Sequence, residues 1–371
     1  MNKKVIGILA VFCIAITTGY IYNVGRTLEL DGSTSLSFDM SEDFKSILLY
    51  ASLAPSGHNA QPWKVRYNED TESFTLYFDD SRSLPQVDEQ NREAFISLGA
   101  FLENWKQAAK SYGYETSITI FPELGNNKEV AQILMEPAEQ LLPDAKQRLV
   151  RLLKRHTDKR RYEAHSIPAS AINKIIGNHQ SYLYFYPKGT PEYAWISTNT
   201  IEAMSAQALH EGKRLELADW MRFSDAEARQ FKDGLPAEQL GMTGLVKAFF
   251  YTFYSRKTAS TKSFALQAVK QAEQQVNSAA GFFVVTGSVD FKGTVQAGMR
   301  FEEFWLDAVE SGISIHPMSQ ILEEKPFAKN IKHALSLDAP VQMIVRAGIN
   351  NDYGKNNRIR RNINLFTFQT E

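Results

Sequence analysis

The chain has 371 residues, 43% hydrophobic and 22% charged, enough for one large or two ordinary globular domains. Its formal net charge of −1 leaves no electrostatic footprint for nucleic acid. Cys13 is the one cysteine, so disulfides, thiolate metal sites and a cysteine nucleophile are excluded from the body of the protein, and the seven histidines show no metal-ligand spacing.

Lys3 and Lys4 precede Val5 to Tyr22, a run without charge that is long enough to span a bilayer. A cleaved signal wants a shorter apolar core and a small-x-small site; Thr17, Thr18 and Gly19 are small, but no A-x-A pattern stands out. The residues before Cys13 do not form a lipoprotein signal, and no arginine pair marks a twin-arginine signal. The reading is a membrane anchor over 1–25, lysines inside, with the body on the extracytoplasmic side. Arg26, just after the span, argues against that orientation. The alternative is a secreted or periplasmic protein after cleavage. A polar linker follows over 26–40.

Ser41 caps a helix running to Ala54, and 64–78 reads as two strands around an N-E-D-T turn. Arg92 to Gly113 is a long helix with the apolar face Phe95, Leu98, Phe101, Leu102, Trp105 and Ala109; Gly99 and Ala100 permit close helix approach. Glu115 to Phe121 alternates as a strand. Ala145 to Lys154 is a basic helix, 166–178 a capped helix, and Tyr182 to Tyr186 a strand. Trp195 to Lys213 and Leu215 to Phe231 are helical, D-G-L-P then breaks the chain, and 237–262 is aromatic-rich. That last region reads either as a loop or lid, or as a helical insertion that only packs. Gly281 to Gly287 is a buried strand, Thr294 to Gly312 a second long helix, Ile313 to Ile321 a strand entering a turn, and Val341 to Gly348 a further strand.

Two stretches carry chemistry. Ala54 to Trp63 reads A-P-S-G-H-N-A-Q-P-W: Pro55 and Gly57 stop the helix, and Ser56, His58, Asn59 and Gln61 present four hydrogen-bonding side chains in six positions. Such density suits a planar heteroaromatic ring with a polar rim, and loops on a scaffold are where binding groups sit; equally, these groups would serve a helix-ending loop that faces water. The second stretch, 154–161, sets His156 and Thr157 among Lys154, Arg155, Lys159, Arg160 and Arg161. A run of like charge reads as a solvated face, or, with a hydroxyl among guanidiniums, as a phosphate cradle.

The decapeptide resembles the flavin-contacting loop of the FMN-dependent nitroreductase family, in which P-S-x-x-N-x-Q-P-W recurs. The resemblance extends over about 42–365 and is strongest to the double-length, single-chain branch, with its R-x-T-x-[KR]-R, W-x-R and D-G-x-P motifs. It implies an α+β nitroreductase-like fold of two half-domains, each with a central antiparallel or mixed sheet flanked by helices, packed as an intrachain pseudo-dimer. The halves would be 41–150 and 151–365, the second carrying a helical lid insertion at about 196–262. The segment from Leu98 and that from Gln296 echo each other loosely, as two copies of a central interface helix would.

The resemblance further implies one composite FMN site. Ser56, His58, Asn59 and Gln61 come from the first half; Arg155, His156, Thr157 and Arg160, the turn Pro317, Met318 and Ser319, and the basic tail Arg358, Arg360 and Arg361 come from the second. Arg155, Thr157 and Arg160, with Arg360 or Arg361, would hold the phosphate. Ser56 and Asn59 would contact the ring or ribityl chain, and the amide after Met318 would face the flavin N5. The chemistry would be flavin-borne, with no dedicated acid–base residue beyond His58 as a candidate proton donor. NADH or NADPH would donate hydride, to be passed to a nitro or quinone-type small molecule; the alternative is a membrane-anchored protein that holds flavin without turnover. Some members of that branch are thought to hold flavin in this way. No metal, no nucleic acid and a monomeric state complete the expectation.

Overall fold

The computed structural model describes residues 24, 35–140, 142–354 and 359–369. The anticipated span Val5 to Tyr22 and Arg358 lie outside the described residues. Among the described residues no helix is long and apolar enough to cross a membrane.

Ser41 accepts the Phe44 N–H at 3.2 Å and so starts α1 (Glu42–Ala51). A hairpin follows, β1 (Trp63–Asn68) antiparallel to β2 (Ser73–Phe78), with Trp63 opposite Phe78 and Asn68 opposite Ser73. The long helix α2 (Arg92–Ser111) leads to β3 (Tyr114–Ile120) and β4 (Glu129–Pro137), and then α3 (Ala145–Lys154). The second part runs α4 (Ala169–His179), β5 (Leu183–Pro187), α5 (Pro191–Leu209), α6 (Glu211–Trp220), α7 (Asp225–Phe231), α8 (Gly244–Phe253), α9 (Arg256–Ala259) and α10 (Lys262–Asn277). Then come β6 (Gly281–Thr286), α11 (Phe291–Glu310), β7 (Ser314–Pro317), β8 (Val341–Gly348) and β9 (Thr367–Gln369).

The fold is α+β with two sheets, ordered β3-β4-β2-β1-β9 and β5-β6-β8-β7. Between them lie α2 and α11, twenty residues each. One core joins Leu98, Phe101 and Trp105 of α2 to Val65, Phe74 and Leu76 of the first sheet; another joins Phe301, Phe304 and Trp305 of α11 to Phe283, Val285 and Val345 of the second. The far face of the second sheet is covered too, by Tyr193 and Ile196 of α5 and Val276 of α10 packed on Phe282, Val284 and Ile344. That double cover explains why β6 and β8 are buried at every position, whereas β3, half-solvated, alternates.

Four features differ from the sequence reading or decide between its alternatives. β4 was not anticipated: its outward residues mix Gln132 and Glu136 with Leu134, which blurs the alternation, and its pairing with β2 and β3 is a tertiary fact. The region 237–262 is largely helical, as the helical-insertion reading expects and the loop reading does not, because Phe250 of α8 packs into a small cluster with Met221, Leu235 and Ala237. The proposed insertion is also shorter than expected, since α5 is part of the sheet's core cover and the outlying layer begins at α6. Finally, the tail does not stay with the second part: β9 lies parallel to β1, with Val65 opposite Thr367, and completes the first sheet.

Candidate functional site

The loop after α1 is bent into an uncommon shape. His58, Asn59 and Gln61 have φ of 48°, 54° and 55°, left-handed conformations that L side chains seldom adopt and that surrounding structure must hold in place. Three anchors do so. Ser56 Oγ accepts the Gln61 N–H at 3.0 Å. Asn59 Nδ2 donates to Gly234 O at 3.1 Å and to Ile359 O at 3.3 Å, while its Oδ1 accepts from Arg360 Nη1 at 3.0 Å. Gln61 Nε2 donates to Lys232 O at 2.9 Å and Gln61 Oε1 accepts the Arg361 N–H at 2.9 Å. The loop, the outlying helical layer and the tail are therefore tied together at one point.

Beside this knot is a cavity of about 440 Å³. Three distant parts of the chain wall it: Pro55 to Asn59; Arg155, His156, Thr157 and Lys159; and His316 to Ser319, with Arg360 joining from the tail. The roof is more apolar, formed by Leu217, Met221, Leu235, Leu240 and Met242 of the outlying layer and by Phe264 of α10. This volume is in the range of small-molecule and cofactor sites.

The anticipated residues divide. Ser56, His58, Asn59, Arg155, His156, Thr157, Pro317, Met318, Ser319 and Arg360 line the cavity; Gln61, Arg160 and Arg361 do not. The reason for Arg160 is geometric. Arg155, His156, Thr157 and Lys159 face the cavity, whereas Arg160 turns away to pair with Asp158 (2.8 Å) and Asp352 (2.8 Å). Arg361 is buried beneath the loop, donating to Gln61 O at 2.6 Å and Trp63 O at 2.7 Å near Asp79; burial, aggravated by Arg82, lowers its pKa to about 9.

Two inward arginines are heavily engaged by the protein. Arg155 forms a buried ion pair with Glu302 (2.7 Å), donates to Leu53 O, and lies 4.7 Å from the Trp305 ring. Arg360 donates to the carbonyls of Ser52 (2.6 Å), Leu53 (2.8 Å) and Ala54 (3.0 Å), which closes the C-terminal end of α1. Lys159 is different. It lines the cavity without a carboxylate partner among the described residues, and burial, helped by Arg346, lowers its ammonium pKa to about 8. Burial likewise lowers His58 to about 4, so its imidazole is neutral and able to donate or accept one hydrogen bond. His316 is also held neutral, well below its usual range, and accepts from Arg346 Nε at 2.9 Å on Nδ1.

The turn after β7 supplies a further donor. The Met318 N–H is spent on Ile344 O at 2.9 Å, while no acceptor among the described residues takes the Ser319 N–H. Ser319 Oγ bonds Glu93 and also reaches Glu323 at 3.2 Å, and Gln207 holds Glu323 from the other side at 2.6 Å. Burial and the Glu93 charge push the Glu323 carboxyl well above its usual range. Lys159, His316, Glu93 and Glu323 were not among the anticipated site residues. Only Lys159 carried a usable signal, its place in the basic cluster at 154–161 beside Arg155 and Thr157.

An α+β scaffold with a cofactor-sized cavity, walled by segments from both ends of the chain, is thus on hand. No family model matches the chain. An uncharacterized protein of Mycobacterium tuberculosis is 31% identical over 117 residues, 31% of this chain and 34% of that protein. A second protein of that organism, provisionally named NAD(P)H nitroreductase acg, is 31% identical over 115 residues, again 34% of its length. These matches span about a third of the relatives' own length. A protein of Serratia sp. named a probable NAD(P)H nitroreductase, PigM, is 24% identical over 296 residues, 74% of this chain and 79% of the relative. A crystal structure of a nitroreductase-like protein of Streptococcus mutans covers 35% of this chain and 91% of its own at 18% identity, with a TM-score of 0.23, too low to define a fold. The chain is thus similar to proteins named as NAD(P)H nitroreductases, over most of its length in the case of PigM, and it holds its P-S-x-x-N loop in a strained conformation.

Proposed function

We propose that the cavity binds FMN and that the protein is an NAD(P)H-dependent flavin oxidoreductase acting on a nitro or quinone-type small molecule. One observation carries this reading: Ser56 to Asn59 and Arg155 to Lys159, about a hundred residues apart, wall the same 440 Å³ cavity. The donor set fits the group. A phosphate would be met by Thr157 and Lys159, with the charges of Arg155 and Arg360 close behind them but their donors engaged by the protein, so the anion site moves away from Arg160 and Arg361. The unspent Ser319 N–H suits a ring nitrogen, and neutral His58 and Asn59 suit the polar rim.

When bound, FMN supplies the hydride relay between nicotinamide and acceptor. The chain's own part is to orient the ring with the loop and the Ser319 amide, to balance negative charge with Lys159, and to exclude water beneath the α6–α8 layer. The purified full-length chain in detergent should show flavin absorbance at about the visible wavelengths typical of a bound isoalloxazine, bleached by NADH or NADPH and restored by a nitroaromatic or quinone. A colourless protein that gains no colour on incubation with FMN would refute the proposal.

A second reading, flavin holding without turnover, draws on the bonds that fasten the outlying layer to the loop at Gly234 and Lys232. Bleaching by NAD(P)H with continuous acceptor reduction separates the two. We further propose a pseudo-dimer of two halves in a monomeric chain, anchored through Val5 to Tyr22 with its body extracytoplasmic, or released there after cleavage. The central crossing of two long helices, each with a glycine at the contact, supports the two-half reading.

A further inference from the structure

The outlying layer carries a surface that the cavity does not use. On α8, Leu245 (71% exposed), Val246 (59%), Phe249 (56%) and Phe253 (64%) are open to solvent. At about 100° per residue these four positions fall within an arc of about 100° on one side of the helix. The opposite side is firmly seated. Phe250 stacks on Phe223 and Tyr254, the Ala237 N–H donates to Tyr251 Oη at 3.2 Å, and the fully buried Lys247 binds Glu238 at 2.6 Å and Asp225 at 2.8 Å. The apolar face is thus held outward by a buried ionic footing. Contiguous large apolar groups of this kind mark an interaction surface.

Charge identifies the occupant. Between Glu238 and Glu273 the chain has no acidic residue and five cations, Lys247, Arg256, Lys257, Lys262 and Lys270. Lys247 is internal, and Arg256 pairs with Asp219. Lys257 and Lys262 are exposed and have no acidic partner among the described residues. A second copy of the chain would bring these like charges against themselves across a twofold contact. The apolar run Val5 to Tyr22 could cover the phenyl rings but contains no acid to answer the lysines. An anionic bilayer answers both, with acyl chains for the rings and headgroups for the ammonium groups.

We propose that the outer face of α8 dips into the surface of an anionic lipid bilayer, holding the roof of the cavity at the membrane. This deepens the anchored reading above and rests on it for proximity to the bilayer.

The test uses the full chain in phosphatidylcholine vesicles with and without phosphatidylglycerol. One nitroxide is placed on the native Cys13, and others, in a Cys13→Ser background, on Phe249→Cys and on Ser117→Cys at the outer side of the first sheet. Power saturation then compares collisions with oxygen, which enters lipid, and with a water-soluble nickel chelate. The expected result is oxygen exceeding nickel at Cys13 and at 249, the reverse at 117, and a drop in the ratio at 249 without phosphatidylglycerol. Nickel dominance at 249 overturns the inference, and with oxygen dominance at Cys13 it leaves the anchor standing. Shielding of 249 from both agents also overturns it, by showing a protein cover. An unchanged ratio without phosphatidylglycerol overturns the anionic requirement. Oxygen dominance at 249 with nickel dominance at Cys13 upholds the α8 contact and overturns the anchor.

Discussion

Gly99 and Gly298 meet backbone to backbone where α2 crosses α11. A Cβ on Gly99 would sit 1.9 Å from Val295 O, and one on Gly298 would sit 2.1 Å from Ile96 O. Neither neighbour is a side chain able to swing aside, so either alanine forces the helices apart. Gly99→Ala and Gly298→Ala are each expected to cost about 1–3 kcal/mol, read from urea unfolding. The double variant should cost less than the sum, because one separation relieves both overlaps. Gly177 in α4 has open space around it, and Gly177→Ala is expected to stabilise by about 0.5–1 kcal/mol in the same assay.

Arg155 and Glu302 form the charged pair in the interior beside the cavity. The guanidinium and the carboxylate are almost wholly buried, at 3% and 0% side-chain exposure. Burial raises the Glu302 pKa to about 7 against the pull of Arg155. Its folded-state pKa thus exceeds the unfolded one, so its contribution is full below about pH 4.5 and declines as pH rises through 7. Arg155→Met alone strands the carboxylate and is expected to cost about 3–5 kcal/mol, less at pH 5 than at pH 8. Adding Glu302→Leu should restore most of the loss. A single variant as stable as the wild type at pH 8 would show that the pair is not holding α11 against the segment that follows α3.

The loop and the walls were legible because they rest on local chemistry: Pro55 and Gly57 end a helix anywhere, and P-S-x-x-N is a sequence motif. The left-handed backbone at His58, Asn59 and Gln61 was not, since nothing local demands it; the bonds from Gly234, Lys232 and Arg361 impose it from far away. β9 was hidden for the same reason, because three residues of tail become a strand only by finding β1. The role of Arg360 illustrates the limit well. A basic tail residue suggests an anion, yet the carbonyls at the end of α1 absorb its donors.

Lys159 gives ligand binding a pH signature. Its pKa of about 8 lies below the unfolded value of 10.5, so in the ligand-free protein its charge is a cost that grows as pH falls from 10.5 toward 8 and is fully present below 8. A bound anion removes that cost and raises the pKa again. FMN affinity should therefore fall as pH rises through 8, with proton uptake on binding measurable in buffers of different ionisation enthalpy. The increase in melting temperature with FMN should be larger at pH 7 than at pH 9. Lys159→Gln is expected to weaken binding by about 10- to 100-fold, the worth of a charged hydrogen bond, and to flatten the profile. Thr157→Ala should weaken binding without altering its pH dependence.

The outlying layer is latched by a buried triad in which Asp233 takes Arg82 from the first part of the chain and Arg222 from its own, with Nε of Arg222 at 3.2 Å. Glu216 adds a second catch by accepting the N–H groups of Gln86 (2.8 Å) and Val87 (3.1 Å). Neither Glu216 nor Asp233 lines the cavity, although Val87 does, so weakening the two carboxylates changes access without removing a group that faces the ligand. Glu216→Gln keeps the shape and replaces the charged acceptor with a weaker one. It is expected to speed FMN release by about tenfold in a stopped-flow assay with apoflavodoxin as trap, and to change the association rate in the same direction. Asp233→Asn strands two arginines and should release FMN faster still while lowering stability by about 3 kcal/mol or more. If Glu216→Gln left both rates unchanged, the layer would be a fixed roof, and ligand would have to enter elsewhere along the cavity wall.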